Sequence, residues 1–432
     1  MGILTLVVLL ALETLFLVWS IRTKGSKREE KEIVSIGLLA LFALLLVTGV
    51  YEWSFRYAAL LLVLVIQALA AAVVLIRKRE KEYRLGKSIL RFVRNSFIFT
   101  SALFLAILCP QYAQLQTTGD HGIATAKYTW VDNGRVDQFS QSGENRKLTV
   151  EFWYPENADE TYPLVVFSHG AFGFSGGNYS TFAELASNGY VVASIGHTYH
   201  AFYTMDTNGK LTIVDTDFLG KAAEINGIAD TAHEEEIFNI TKEWMKLRMD
   251  DENFVIDTIL AQCGSDNNDA LFSLIDTGKI GLMGHSLGGA SSAQLGRERD
   301  DIAAVIVLDG TMLGEETAFE NNAVVLNSTP YPIPLLNVYA QDHYTNSMEL
   351  VGEAYNNFHA TKNAVCAYET VFKNAGHLNF TDLPLFSPAL AKMLGVGIID
   401  ERYGIETMNK VVLAFFDSYL KDAGVPIIEK EY

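Results

Sequence analysis

Of 432 residues only 3 are cysteine and 9 are proline, and charged side chains make up 19%. So little cysteine excludes a small disulfide-stapled scaffold, and 49% hydrophobic residues exclude a disordered chain. Cations are scarce as well, 33 Lys and Arg against 51 Asp and Glu, for a net charge of −18. A nucleic-acid partner is therefore not expected, because phosphate binding needs a surplus of Lys and Arg on some face. No Cys and His pair has zinc-ligand spacing, and the start of a calcium loop at Asp206 puts Lys210 at its fifth position and lacks a closing Glu. Asn208-Gly209 reads instead as a hairpin turn. No metal or cofactor is called for.

What is abundant is apolar sequence, and it is unevenly placed. Residues 1–111 hold 14 Lys and Arg against 7 Asp and Glu, while the remainder holds 19 against 44. The basic part contains four apolar runs, Ile3 to Ile21, Ile33 to Val50, Tyr57 to Ile76, and Ser96 to Cys109 extended by neighbours on either side. A bilayer core of about 30 Å takes about 20 helical residues, so the first three runs qualify and the fourth, with Ser96, Thr100 and Ser101, is the weakest. Residues 1–115 are thus expected to form a transmembrane domain of about four helices. Arg22, Lys24, Lys27, Arg28 and Lys31 follow the first run; Arg77, Lys78, Arg79, Lys81, Arg84, Lys87, Arg91 and Arg94 follow the third. The positive-inside rule makes both loops cytoplasmic and places everything after Cys109 on the extracytoplasmic side, whereas a fourth run that does not cross would leave the large C-terminal part cytoplasmic. Tyr112-Ala113-Gln114 has the look of a cleavage region, but an uncleaved anchor is the expectation, and Leu108 before Cys109 argues against a lipoprotein site. Glu13, mid-span, would cost about 2.5 to 3.5 kcal/mol against lipid, so it is expected to face another helix, with Gln67 as a partner. Cys263 and Cys366 would make one disulfide if they meet in an oxidising compartment.

From about Gly122 the pattern changes to short β-rich runs, among them Lys147 to Trp153, Leu164 to Ser168, Tyr190 to Ile195, Ile280 to Met283, Ala303 to Leu308, Pro334 to Ala340 and Val365 to Phe372. Helical stretches fall between several of them, at Tyr179 to Ser187, Glu234 to Gln262, Gly288 to Arg297 and Met348 to Asn357. This alternation predicts one α/β domain over 120–432, a doubly wound, mostly parallel sheet. On such a sheet chemistry gathers at strand C-termini. There Gly284-His285-Ser286-Leu287-Gly288-Gly289 reads strand, G-x-S-x-G, helix, a turn that exposes a serine as nucleophile. A serine needs a general base, itself held by a carboxylate. His377, on a Gly-bearing loop after the last strand, is the expected base; His343 and His359 read as surface or packing residues. The acid is Asp309 or Asp342, both at strand ends. Backbone N–H groups of Leu287 and Ala171 are the expected oxyanion donors, with His169 shaping the loop around Ala171. The apolar stretch Phe380, Leu383, Leu385, Phe386 and Leu390 to Met393 either lines an acyl site beside His377 or packs as core.

Leu148-Thr-Val-Glu-Phe-Trp-Tyr-Pro155, Val166-Phe-Ser-His-Gly170, Gly189-Tyr-Val-Val-Ala with His197, Gly284 to Gly289, Leu308-Asp-Gly-Thr-Met312 and His377-Leu-Asn-Phe-Thr-Asp382 occur in that order. Across 147–382 the chain thereby resembles the α/β-hydrolases grouped with plasma-type platelet-activating factor acetylhydrolase and its bacterial lipase-like relatives. The resemblance implies a serine hydrolase of carboxylic esters, acting on a small-molecule or lipid ester, with Asp309 favoured over Asp342. Peptidase, polyester hydrolase and acyltransferase share the same triad. A reading of another class makes the four helices a sensor or scaffold with a non-catalytic ectodomain.

Overall fold

A computed structural model describes every residue except 26–27, 78–82, 228–233 and 266–268, with backbone alone at 28 and 226–227. Of the loop cations, Lys27, Lys78, Arg79 and Lys81 lie outside the described residues. The chain divides into two compact units, Met1–Ala113 with Leu385–Met393, and Gln114–Pro384 with Leu394–Tyr432.

The first unit is built from α1 (Gly2–Thr23), α2 (Arg28–Val47), α3 (Phe55–Arg77) and α4 (Leu85–Leu108). On α3 the buried residues Tyr57, Leu60, Leu64, Ala68 and Ala71 recur at helical spacing, and Asn95, Phe99, Ala102, Leu103 and Ala106 do so on α4. The other faces stay apolar and outward, as at Leu62, Leu69 and Phe97, an exterior that is costly in water and suited to hydrocarbon. Helices α1, α3 and α4 are long and apolar enough to cross a membrane. This departs from the sequence ranking in two places. The fourth helix qualifies because it runs back to Leu85, making 24 residues. The second is not among the three, since Glu29, Glu30, Lys31 and Glu32 occupy its first turns. Glu13 is buried as expected, but its partners are Lys31 and Asn95 (Asn95 Nδ2 to Oε1, 2.8 Å), not Gln67. Segment Leu385–Met393 packs within this unit: the Phe386 ring lies 6.2 Å from that of Phe55, and Ser387 donates to the Leu108 carbonyl. The apolar stretch read from the sequence is therefore split, with Phe380 buried in the second unit and Leu385 buried and Phe386 half-buried in the first.

The second unit centres on an eight-stranded sheet: β1 (Ile123–Val136), β2 (Asn145–Pro155), β3 (Tyr162–Ser168), β4 (Val191–Gly196), β5 (Ile275–His285), β6 (Ile302–Leu308), β7 (Leu335–Ala340) and β8 (Ala367–Phe372). The spatial order is β1-β2-β4-β3-β5-β6-β7-β8. The first two strands pair antiparallel with each other and β2 with β4; the rest are parallel. Strands β3 and β4 are buried along their whole length, matching their continuous apolar runs. Helices α5 (Tyr179–Ser187) and α8 (Glu401–Leu420) cover one face, joined by a Thr181 to Asn409 hydrogen bond of 2.8 Å. Helices α6 (Glu234–Cys263) and α7 (Leu287–Glu298) cover the other, where Val255, Ile256, Ile259, Ala293 and Leu295 pack with Ile280, Leu282, Val305 and Val307. The alternation of Ile280 and Leu282 toward α6 and α7 with Gly281 against Phe416 of α8 is the two-residue strand period.

The hairpin at Asn208-Gly209 joins short antiparallel strands Tyr203–Met205 and Leu211–Ile213. The helix read over Met348 to Asn357 does not form as one piece. Helix Gln341–Leu350 ends before Gly352, whose φ of +67° is left-handed, and a second helix starts at Asn356. Cys109, Cys263 and Cys366 are all free thiols, with Cys366 Sγ 3.1 Å from the Tyr419 hydroxyl.

Candidate active site

Strand β5 delivers the chain to Ser286 and α7 leads it away. A turn this sharp forces Ser286 to φ 55° and ψ −125°, a conformation that costs about 1 to 3 kcal/mol and persists only where packing enforces it. The enforcing contacts are glycines. A Cβ on Gly284 would lie 2.2 Å from the Gly288 carbonyl, and one on Gly288 would lie 2.0 Å from the Ser168 carbonyl, so no side chain fits at either place.

Asp309 follows β6 with φ 50°, and its carboxylate is buried. Oδ1 accepts from the Ala340 N–H (2.7 Å), and Oδ2 accepts from His377 Nδ1–H at 2.7 Å. Burial opposes ionisation of this carboxyl, but hydrogen bonds from His343 and His377 outweigh it and hold its pKa well below the usual carboxylate range. His377 sits on a short turn, His377–Phe380, after β8, and its side chain is 47% exposed, far more open than the acid that holds it. With Nδ1–H committed to Asp309, the lone pair of the neutral imidazole is on Nε2. Asp342 is exposed in the first turn of the helix after β7 and accepts only from the His343 N–H among the described residues. Of the two acids weighed, the structure brings Asp309 alone to His377.

His285, between the elbow glycine and Ser286, ties the base loop to the elbow. Its Nε2–H donates to the His377 carbonyl (3.0 Å), and the two rings lie 4.5 Å apart. Burial, with His377 beside it, lowers the His285 pKa to about 3, so the ring is neutral and keeps the tautomer this bond requires. Asn379 fixes the same loop by accepting from the N–H groups of Gly376 and Gly397, both at 2.8 Å. Ser286 Oγ makes no hydrogen bond among the described residues, and the tie between its turn and the His377 loop runs through His285. Catalytic hydrogen bonds are commonly open in an enzyme without substrate.

The loop after β3 lies directly over the serine. A Cβ on Gly170 would lie 3.0 Å from Ser286 Cβ. The Gly170 carbonyl is taken by His169 Nδ1–H (2.7 Å), Gly173 N–H (3.0 Å) and Arg248 Nη2 (3.3 Å). In a trans peptide N–H and C=O point opposite ways, so these bonds turn the Ala171 N–H away from Arg248. Among the described residues neither Ala171 N–H nor Leu287 N–H has a hydrogen-bond partner, which leaves two main-chain donors open beside Ser286. His169 shapes the loop as expected of it, and Arg248, fully buried, is its second anchor through the His169 carbonyl (2.7 Å).

Sequence reading missed His343. It is no packing residue: Nδ1–H donates to Asp309 Oδ1 at 2.9 Å, and Nε2 lies 2.6 Å from the Tyr355 hydroxyl. His359, by contrast, bonds only the Asn327 carbonyl, at 2.8 Å, and the Asn363 side chain among the described residues.

The profile of the family described as platelet-activating factor acetylhydrolase, isoform II, matches residues 143–424. The chain belongs to that family. It is 26% identical over 286 residues to the platelet-activating factor acetylhydrolase of Canis lupus familiaris, covering 62% of this chain and 59% of the dog protein. With the Cavia porcellus protein of the same name it is 25% identical over 297 residues, 63% of this chain and 61% of the other. The chain thus spans about three-fifths of the length of these relatives. The ferulic acid esterase from Streptomyces cinnamoneus superposes with a TM-score of 0.54 at 21% identity, covering 72% of this chain and 94% of that one. That likeness establishes the α/β-hydrolase fold. The profile begins beyond residue 113, so the family match lies outside the four N-terminal helices.

Proposed function

We propose that the chain is a membrane-anchored serine hydrolase of carboxylic esters, acting on a small-molecule or lipid ester as the acetylhydrolase relatives' name suggests. The observation that carries this reading is the Asp309–His377 hydrogen bond, held by His285 next to a serine on a strained strand-to-helix turn. His377 Nε2 takes the Ser286 proton as Oγ attacks the ester carbonyl, while Asp309 keeps the imidazole tautomer and stabilises the imidazolium. The oxyanion of the tetrahedral intermediate accepts from Ala171 and Leu287 N–H groups, each donor worth about 3 kcal/mol in the transition state. The alcohol departs with the proton from His377, and water then hydrolyses the acyl-enzyme by the same route in reverse.

Crossing of the membrane by α1 to α4 together, α2 included, puts the two basic loops on one side and the catalytic unit on the opposite, extracytoplasmic side. Lys31 in the first turns of α2 is neutralised by its ion pair with Glu13 of α1, and the apolar residues Ile33 to Val47 make up the rest of its crossing.

Purified full-length protein is expected to hydrolyse p-nitrophenyl acetate and to lose at least about 10⁴-fold in kcat/KM on Ser286→Ala. Equal turnover by the variant would overturn the assignment. A membrane-impermeant fluorophosphonate applied to intact cells reports sidedness, with labelling expected before lysis.

A further inference from the structure

Asp309 is shared between two imidazoles, and the triad reading proposed above uses only one of them. His343 donates Nδ1–H to Oδ1 at 2.9 Å, and His377 donates Nδ1–H to Oδ2 at 2.7 Å. The second nitrogens differ. His343 Nε2 lies 2.6 Å from the Tyr355 hydroxyl, which is itself 2.9 Å from Thr311 Oγ1. His377 Nε2 has no hydrogen-bond partner among the described residues. The titratable groups facing His343 are Asp309 from the turn after β6, Tyr339 from β7 with its ring 5.9 Å away, Asp342 from the adjacent position of its own helix, and Tyr355 from the turn before Asn356. Across the Asp309 carboxylate the next one is His377.

This asymmetry decides where a proton goes. With neutral His343 the Tyr355 hydroxyl donates to Nε2 and accepts from Thr311. When His343 is protonated, Nε2–H donates to Tyr355, whose hydroxyl turns and donates to Thr311 Oγ1. Both states leave every group bonded, and two carboxylates, Asp309 and Asp342, favour the cation. Protonating His377 places its new N–H in the open site, where the mechanism needs a lone pair. Burial opposes charge on His343, but the hydrogen bond and charge of Asp309, with the charge of Asp342, outweigh it and raise its proton affinity. Once His343 carries charge, its field through the shared carboxylate works against a second proton on His377.

We propose that His343 is a positioning residue that takes the first proton bound by the Asp309 pair as pH falls and thereby keeps His377 available as a base. Thr311 and Tyr355 are the relay that lets it do so without losing a hydrogen bond.

The proposal rests on the esterase reading, and its test separates the two. In the full-length protein, His343→Asn keeps a donor near the Nδ1 position but cannot be charged, and His343→Leu removes both properties. The acid limb of kcat/KM for p-nitrophenyl acetate is expected to move up by about half a pH unit or more in His343→Asn, with a plateau within about threefold of the wild type. In His343→Leu kcat is expected to fall about tenfold with KM unchanged, because Asp309 has lost a hydrogen-bond donor. A structural role alone would be restored by Asn without moving the limb, so superimposed acid limbs would overturn the proposal. The imidazole Cε1–H titration of His377, followed by NMR, needs no turnover. It should rise by about the same amount in His343→Asn, and an unchanged titration would overturn the proposal even in a protein inert toward the ester. Turnover retained by Ser286→Ala, with the NMR shift present, would instead fault the esterase reading and leave the His343–His377 coupling established.

Discussion

Two serine, histidine and aspartate arrays lie within the second unit. In one, Ser168 Oγ is 2.9 Å from His197 Nε2, and His197 Nδ1 is 3.0 Å from Asp251 Oδ2. It is a complete hydrogen-bonded chain, more complete than the Ser286, His377 and Asp309 array, whose serine contact is open. Yet His197 and Asp251 are both 0% exposed, whereas the His377 side chain is 47% exposed. Burial, with the Arg248 and Arg146 cations adding to it, lowers the His197 pKa to about 3, so it cannot serve as a base that gains and returns a proton near neutrality. Burial also resists ionisation of Asp251, but Arg146, at 2.7 and 3.1 Å, and His197 overcome it. The buried array is a strut: through His197 and Ser168 it braces the chain just before the loop that offers Ala171. Hydrogen-bond geometry alone does not separate the two arrays; the open nitrogen of the His377 imidazole and the strained turn at Ser286 do.

Asp309→Asn should damage turnover most, by about 10³ to 10⁴ in kcat, with little change in folding, because the amide leaves His377 in the wrong tautomer. Stopped-flow or steady-state ester hydrolysis reads this directly. The same exchange in the buried array, Asp251→Asn, should act on stability instead. It leaves the buried Arg146 cation with only the longer contact to Asp137, at 3.4 Å, and should cost about 3 kcal/mol, seen as a lower denaturant midpoint. If Asp251→Asn lost turnover without stability, the two arrays would not differ as described.

A smaller effect separates them by pH. Glu252, beside the buried array, accepts from Ser291 and Ser292 and is fully enclosed. Burial raises its pKa to about 7 despite those bonds. A raised carboxyl contributes stability that is complete below its ordinary value and lost as pH climbs through 7. Between roughly pH 5 and 8 the wild type should therefore lose about 2 kcal/mol that Glu252→Gln does not lose, measured by thermal unfolding of the full chain at several pH values. Identical pH slopes would show that Glu252 is ionised throughout.

How much of this was legible in the sequence follows the range of the interactions. The strand, elbow and helix around Ser286 are local, so G-x-S-x-G in its setting exposed them. His377 and Asp309 were legible from chain order and strand ends. His343 was not, because its role depends on a carboxylate 34 positions away, and nothing nearby in the chain distinguishes it from a surface histidine. Nor was the part of His285, which acts on a carbonyl 92 positions away. Strand β1 escaped notice because it is only partly buried along its whole length and lacks a continuous apolar run. The partners of Glu13 were missed for a similar reason: Lys31 read as a loop cation, and Asn95, just before the fourth apolar run, drew no reading until α2 and α4 brought them to it.

The account stands on Ser286 being the nucleophile, and one measurement addresses that without assuming a natural substrate. The full-length protein treated with a fluorophosphonate, digested and analysed by mass spectrometry should carry a single phosphonyl group on the peptide containing Gly284 to Gly289, at Ser286. An adduct on another serine, or none after prolonged exposure of folded protein, would contradict it.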